Sequence, residues 1–552
     1  METIDTRTGT PDLHVPVLVV GAGPAGLVTA IGLARHGVRS LVIERHASTS
    51  IFPRATGVSV RSMEIFRGWG IDEAVRRGGW RVIPRQATVR TLSDPNPLEV
   101  PLGFPDEAQS LAVSPTTAAV SPQDHLEPVL LDHFRSLGGE VRFSTELVSF
   151  EQDGRGVRAV LRDRVTGELA SIRSEYLVGA DGHRSTVRSA LGIAMHGPDD
   201  LGQFLSILFR ADLSAVLGDR TYGLYMLEGG DGPPSVFVPS GADDRFVFAI
   251  PLPPGMDEAA LTAAFPEERC VAMIREAAGR PDLDVEVLGR SAFAFAAQVA
   301  ERMRVGRAFL VGDSAHRTTP RGGRGMNTAI ADGFDLGWKL AWVVRGIADP
   351  ALLDSYEAER GPIGRRNVEM SIVPGGGGTD DGLAEDLGWV VGSTAIVPEP
   401  SVMPGVPASQ AFPPDARSGS RAPHAWLSIG EERISTLDLF GRELVLVTAG
   451  NGTAWRDAAA RLAATGCEAP IRVRAIGRWL GDADGAFARS YGLADGGAVL
   501  VRPDGVIAWR SEALPADPVG ALSSAVAIAL GRGTDADRRR FASDIAAASE
   551  AA

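Results

Sequence analysis

The sequence predicts an α/β protein in three parts: a parallel-sheet unit, an antiparallel sheet set into it, and a smaller α/β unit after both. Three observations predict this. Val15–Arg45 reads strand, glycine-rich turn, helix, strand, acid. Buried-strand runs ending in a Gly and an Asp return at Tyr176–Ala180 and Ala308–Val311, with many short strands between them. After Arg442 strands and helices alternate again, beyond a stretch rich in Gly, Pro and Ser.

The opening stretch is the most informative. Val15–Val20 is a β-branched apolar run, the pattern of a buried parallel strand. Gly21-Ala22-Gly23-Pro24-Ala25-Gly26 follows, then an apolar helix over Leu27–Arg35 that stops at Gly37. Ser40–Ile43 is a second strand ending in Glu44. In such a turn Gly21 permits the tight bend, Gly23 lets backbone approach a pyrophosphate, and Gly26 lets helix and strand pack closely. The helix N-terminus offers unpaired N–H groups to phosphate, and Glu44 can accept from an adenosine ribose. A bound dinucleotide is therefore expected. The fingerprint alone does not separate FAD from NAD.

Size and composition set limits. The chain has 552 residues, 44% hydrophobic and 22% charged, which suits two to four globular domains. Its net charge of -14 disfavours nucleic acid and anionic membranes as partners. Cys270 and Cys467 stand far apart, with no CxxC and no zinc spacing, so no metal is expected and a reducing cytoplasm is. Val15–Ala34 is apolar, but Gly21, Gly23, Pro24 and Gly26 interrupt it, so neither a membrane span nor a signal peptide is expected. Residues 1–13 read as a disordered tail.

Further along, Phe52-Pro53-Arg54 reads as a loop and Ser59–Trp69 as an amphipathic helix. Arg54 either reaches a phosphate or flavin edge or is a solvated loop arginine. Residues 81–118 look irregular and β-like. Ser121-Pro122-Gln123-Asp124 predicts a helix start with Ser121 as cap and Asp124 completing the box, and His125–Leu137 continues it. Val141–Phe143 is a third strand, and Leu147–Ser174 reads as antiparallel hairpins. Asp181, after Tyr176–Ala180, sits where α/β sheets bind ligands, or else caps the next helix. Phe204–Asp212, Tyr222–Glu228, Ser235–Pro239, Arg245–Pro251 and Asp284–Phe295 read as strands, with Tyr222, Tyr225 and Phe237 expected in core packing rather than facing a pocket. Asp313 follows Ala308–Val311 as another strand-end acid, for a ribose or ribityl hydroxyl or as a cap. Pro320–Asn327 is a second glycine-rich turn before a helix, Thr328–Arg345, so its backbone N–H groups face a ligand. Ser355–Arg366 reads as a helix interrupted near Gly361-Pro362. Gly375–Asp381 and Pro398–Arg421 read as loops or linker. The last part predicts strands at Arg442–Thr448, Ile471–Ile476, Ala498–Val501 and Val506–Arg510, and helices at Ala454–Ala464, Ala486–Tyr491 and Pro518–Leu530.

GAGPAG with Glu44, GADGHRSTVR, and GDSAHRTTPRGGRGMNTAIADGFDLGWKLA together resemble the single-component, FAD-dependent aromatic hydroxylases of the para-hydroxybenzoate hydroxylase type, the group A flavoprotein monooxygenases. LLDSYEAERGPIGRR also fits, and the likeness is greatest to bacterial enzymes that tailor aromatic polyketides. The resemblance implies a Rossmann-like FAD-binding domain over 14–195 and 297–397, and a substrate-binding β-sheet domain over 196–296 with part of 81–120. It implies a thioredoxin-like domain over 415–545 that lacks CxxC and hence redox function.

The resemblance also implies roles by position. Gly21, Gly23, Pro24, Ala25 and Gly26 hold the FAD pyrophosphate, and Glu44 and Arg45 the adenosine side. Arg54 lies near the flavin, Gln123 contacts FAD, Asp181 serves FAD and NADPH, and Asp313 binds the ribityl side. Pro320, Gly322, Gly323, Gly325, Met326 and Asn327 line the isoalloxazine ring, with Pro320, Gly322 and Gly323 as the catalytic positions. His316 is expected to be structural. Three residues depart from the family pattern: Arg324, where an uncharged residue is usual; Asp335, where Asn is common; and Asp124, where a basic residue is frequent. Arg324 is expected either to alter substrate charge preference or to reach solvent.

The implied reaction takes hydride from NADPH, a transient co-substrate, and O2 as oxidant, and hydroxylates a phenolic polycyclic aromatic through a flavin C4a-hydroperoxide. The implied alternatives on this scaffold are Baeyer–Villiger or ring-rearranging oxygenation, or a flavoprotein that holds a polyketide without oxidising it. The expected partners are a small aromatic substrate and O2, the expected state a monomer or homodimer.

Overall fold

The computed structural model describes residues 13–533 apart from 219, 229–233, 243, 254, 257, 374–381, 400–414 and 478–479. Strand β1 (Leu13–Val20) pairs in parallel with β2 (Ser40–Ile43) on one side and with Leu169–Gly179 on the other. Glu140–Arg142 and Ala308–Leu310 extend the sheet in parallel on its two flanks. This order lines up the carboxyl ends of the strands, so Gly21, Glu44, Asp181 and Asp313 fall along one edge, where open α/β sheets bind ligands.

Helix α1 (Pro24–Arg35) crosses the long helix Arg324–Val344 backbone to backbone. A Cβ on Gly32 would come 3.0 Å from the Gly337 Cα, and one on Gly333 would come 2.6 Å from the Ala25 carbonyl. Only hydrogen fits at these crossings, and the close approach brings the two glycine-rich turns together.

Seven strands form a second sheet, in the order Glu286–Ala294, Gln203–Arg210, Arg245–Leu252, Ser235–Pro239, Tyr222–Leu227, Ile83–Val89, Leu98–Pro101. All pairs are antiparallel except Tyr222–Leu227 with Ile83–Val89. Tyr222, Tyr225 and Phe237 are buried in its core beside Phe209 and Phe246. The last unit is a mixed four-stranded sheet: Ile471–Ile476, Leu444–Ala449, Ala498–Val501 and Ile507–Ser511. Leu446, Trp455, Trp509 and Leu522 of this unit join the same apolar core as β1 and the long helix. Among the described residues no helix is long and apolar enough to cross a membrane.

The local expectations differ from the structure at five places. Leu169–Gly179 is one strand, not a hairpin arm followed by a new strand, because it pairs with Val157–Asp163 over its first half and with β1 over its second. Ser121 does not cap the next helix: Pro122, extended at φ -64° and ψ 149°, is its N-cap, and the helix spans Gln123–Ser136. Asp124 is drawn away to Arg245 of the second sheet, at 2.5 Å. The helix Asp354–Ile372 continues through Pro362 without a break. Its neighbours hold it on both sides, since Glu359 bonds Lys339 and Arg502 while Arg360 bonds Asp332. Such contacts outweigh the roughly 3 kcal/mol a proline costs in a helix. The long helix starts at Arg324, so the end of the second glycine turn is its first turn. Gly375–Asp381 and most of Pro398–Arg421 lie outside the described residues.

Candidate functional site

The three glycines of the first turn answer to different constraints. Gly21 has φ +110°, and a Cβ there would lie 2.2 Å from the Ala180 carbonyl. A Cβ on Gly26 would lie 2.0 Å from the Gly21 carbonyl. Both are required by the protein's own packing. A Cβ on Gly23 would meet nothing nearer than the Glu127 Oε1 at 3.9 Å, so this glycine faces open space. It leaves a cradle at the N-terminus of α1, beside N–H groups without helical partners. Pro24 and Ala25 are buried behind it.

Glu44 closes one end. Its Oε2 accepts from the Ala22 N–H at 3.0 Å, and its Oε1 from the His46 N–H at 2.9 Å with the His46 Nδ1 at 2.6 Å. The carboxylate is thereby fixed beside the cradle. Arg45 is exposed next to it. Gln123 donates its amide to the Glu127 Oε1 at 2.7 Å, while the Glu127 Oε2 accepts from the Ser50 N–H at 2.6 Å. Glu127 thus ties the helix to the loop that carries Arg54. Burial raises its carboxyl pKa. Sequence reading missed Glu127, although it stands one helical turn after Gln123.

Asp181 is committed locally: Oδ1 accepts from the Ser185 hydroxyl at 2.5 Å and Oδ2 from the Val187 N–H at 3.1 Å. Ser185 is the N-cap of the short helix Thr186–Ala190, and Asp181 braces that cap from outside the helix, with burial raising its pKa. Arg188 donates to the Ser314 carbonyl at 3.1 Å, and the Ser314 hydroxyl donates to the Gly179 carbonyl, so the two strand-end turns are clamped together. His316 is buried, its Nε2 2.6 Å from the Asp332 Oδ2 that also accepts from the Gly312 N–H. That arrangement supports the turn rather than facing the cleft.

Asp313 is exposed to the cleft, yet crowded by protein. Burial raises its carboxyl pKa, and the charges of His316, Arg317 and Arg54 work against that rise. His183 lies nearby. Burial and then the charges of Arg317, Arg184, Arg54 and Arg45 push it down to about 4. Arg54 is felt at Glu127, His183 and Asp313 alike, so it stands amid the cleft groups. The cleft is therefore basic on one wall, as an anionic dinucleotide requires. His183 and Arg317 went unnoticed in the sequence, although both lie inside the quoted motifs.

The second glycine turn forms the far wall. Gly322 and Gly323 take φ +77° and +61°, left-handed values that favour glycine. Pro320 is exposed and Met326 is buried. The Asn327 side chain is fully occupied: Oδ1 accepts from the Ser59 N–H and the Ser62 hydroxyl, both at 2.8 Å, and Nδ2 donates to the Gly57 and Gly323 carbonyls at 3.0 and 2.8 Å. It leaves only its backbone for a ligand. Gly325 sits where a Cβ would press on the Thr318 hydroxyl at 2.8 Å. Arg324 is largely buried and pairs with Glu385 at 3.2 Å.

A cradle open at Gly23, a fixed acid at one end, a basic wall and a helix-start glycine turn opposite fit an extended dinucleotide with a ring at its far end. Comparison with known proteins agrees. Residues 14–371 match the FAD binding domain family, and residues 415–533 match the aromatic-ring hydroxylase C-terminal family. A putative polyketide hydroxylase of Streptomyces halstedii is 41% identical over 540 residues, covering 93% of this chain and 96% of that one. The flavin-dependent monooxygenase PieE, solved with FAD and substrate, superposes with a TM-score of 0.87 at 33% identity, covering 95% of this chain and all of PieE. Aklavinone-11 hydroxylase, solved with FAD and aklavinone, gives 0.85 at 36% identity and the same coverage. The chain belongs to the FAD-dependent aromatic hydroxylases, the group A flavoprotein monooxygenases.

Proposed function

We propose that this enzyme uses NADPH and O2 to hydroxylate a phenolic, polycyclic aromatic substrate of polyketide type, with FAD lying from Gly23 to Asn327. The observation that carries this reading is the open face of Gly23 between two glycines that packing fills, opposite the left-handed pair Gly322 and Gly323. When bound, FAD supplies the chemistry: it takes reducing equivalents from NADPH and activates O2. The chain's own residues bind, orient and exclude water. Gly21, Gly23, Pro24, Ala25 and Gly26 present α1 to the pyrophosphate. Glu44 accepts from the ribose, with Arg45 beside it, and Gln123, held by Glu127, contacts the cofactor. Asp313 receives ribityl hydroxyls, and Asp181 shapes the turn beside it. Backbone N–H groups of Gly322 to Asn327 meet the ring and stabilise negative charge there, Pro320 fixing the start of the turn. Arg54, His183 and Arg317 form the landing site of the anionic nicotinamide co-substrate.

The substrate lies under the second sheet. Phe204 stacks on Phe295 with centroids 4.2 Å apart, and Phe293 joins them at 5.3 Å from Phe295. These rings are half-buried, unlike the core aromatics, and Gln298, three residues on, bonds Arg317 at 3.1 Å. They suit a flat aromatic ligand. We divide the chain into an FAD-binding domain over 14–195 and 297–397, a substrate domain over 196–296 with part of 81–120, and a thioredoxin-like unit over 415–545. The order of the last unit, β-α-β-α-β-β-α, supports that fold. Two free cysteines, one buried, support a cytoplasmic setting.

The test is direct. The purified chain is expected to show a flavin spectrum or to take up FAD, and a panel of polyphenolic polyketides is expected to contain members that speed NADPH oxidation. Product mass with labelled O2 is expected to show one added oxygen atom without a lactone. A chain that binds FAD but whose NADPH oxidation no aromatic ligand accelerates would refute the hydroxylase reading.

A further inference from the structure

Arg324 opens the first turn of the long helix, where a cation opposes the helix dipole. Its guanidinium runs behind the glycine turn to the Glu385 Oε2, 3.2 Å away on the short helix Gly382–Leu387, and both side chains are nearly buried, at 12% and 10% exposure. Arg366 approaches the other oxygen of Glu385 at 3.7 Å. Two more contacts join the same segments. The Phe104 ring lies where a Cβ on Gly323 would come within 2.9 Å, and the Gly103 carbonyl lies where a Cβ on Gly382 would come within 2.2 Å. The glycine turn, residues 103–105 and the short helix thus close a ring, around a cavity of about 150 Å³ that Gly323, Arg324, Phe104 and Glu385 help to line.

A turn containing two left-handed glycines has little stiffness of its own. The ring holds it, and among the described residues the charged link in that ring is Arg324 with Glu385. Breaking a pair this buried leaves an uncompensated charge beside the turn. We propose that Glu385, acting through Arg324, is a positioning residue: it fixes Pro320–Asn327 in place and sets the net charge behind the flavin-bearing face. This rests on the reading that the turn carries the flavin ring.

The test uses the full-length protein. Glu385→Gln, Arg324→Met and the double variant are compared for FAD affinity of the apoprotein, by flavin fluorescence, and for the midpoint potential of the bound flavin. Each single variant is expected to weaken FAD binding about tenfold, and the double variant to be no weaker than the worse single. The potential is expected to rise in Glu385→Gln, which leaves a free cation, to fall in Arg324→Met, and to return close to wild type in the double variant. A purely structural role would move both singles in the same direction. Potentials that shift alike, losses that simply add, or unchanged affinity and potential would overturn the proposal. Should Glu385→Gln not fold, Glu385→Asp keeps the charge but shortens its reach; weaker FAD binding at an unchanged potential is expected, and unchanged affinity would overturn the proposal. A wild-type chain that takes up no FAD would overturn the underlying reading as well.

Discussion

The cofactor cleft and the charged cluster beneath the long helix are both rich in ionisable groups, and they are handled in opposite ways. In the cleft Arg54 and Arg45 are exposed, and positive charge from Arg54 and Arg317 gathers around Asp313. In the cluster every group is enclosed. Arg502 grips the Glu359 carboxylate through two bonds of 2.7 Å and the Asp504 Oδ2 at 2.5 Å. Lys339 donates to Asp335 at 2.8 Å and to Glu359 at 2.9 Å, and Trp338 donates to Asp504 at 3.2 Å. Three carboxylates meet there as closely as metal ligands do, but the two cations occupy the space between them. The difference teaches how to read charge in this fold: unspent hydrogen-bonding capacity beside an open cradle serves ligands, whereas spent capacity in a closed core joins one structural unit to another. Arg502 and Asp504 belong to the last unit, Asp335, Lys339 and Glu359 to the helices that follow the second glycine turn.

The largest effect is expected from damage to the open side's frame. Gly26→Val places atoms against the Gly21 carbonyl, and FAD affinity is expected to fall more than about a hundredfold in fluorescence titration. Next comes the closed side. Arg502→Met strands buried carboxylates and is expected to cost about 3–5 kcal/mol in urea unfolding, while the FAD affinity of the folded fraction stays close to wild type. A comparable loss of FAD affinity there would merge the two regions and break the contrast. Arg54→Gln should do the reverse: an unchanged unfolding midpoint and a KM for NADPH raised about tenfold.

Asp335 sharpens the comparison through pH. The cluster holds three carboxylates against two cations, and burial pushes Asp335 up to about 7, opposed by the charges of Lys339 and Arg502 and helped by those of Glu359 and Asp504. The folded chain then keeps a proton that the unfolded chain releases, so this group's stability contribution falls as pH rises from about 4 to about 7. Glu359 runs the other way: burial alone would raise it, but Arg502 and Lys339 hold it below its ordinary range, and its contribution is lost in acid. Asp335→Asn leaves two acids against two cations. It is expected to gain about 1–2 kcal/mol at pH 8 and almost nothing at pH 4, measured as the difference between urea curves. The smallest effect is expected from Cys467→Ser, which should leave flavin reduction and coupling unchanged, since Cys467 is free and has no CxxC partner.

Much of the cleft was legible because its signals are local. Gly21, Gly23, Gly26 and Glu44 lie within one βαβ stretch; Gly26 answers to the Gly21 carbonyl, Gly21 to the neighbouring strand's end at Ala180, and Gly23 is left open. The helix expected over Ser59–Trp69 forms as Val60–Trp69, with Ser59 as its cap. The misreadings arose where distant partners intervened. The local pattern makes Ser121 the cap and Asp124 the acid that completes its box, but Asp124 pairs with a residue 121 positions later. Pro362 predicts a break, and tertiary bonds carry the helix through it. Arg324 has a partner that its own stretch does not announce, a carboxylate 61 positions on.

The sequence by itself determined the parallel sheet, the two glycine turns and the acid at the end of β2, because backbone freedom, apolar periodicity and strand-end acids are written in neighbouring residues. Only the tertiary structure decided which charges face the cleft and which are locked in pairs, because a charge's role depends on the dielectric around it and on partners that the chain brings in from hundreds of residues away.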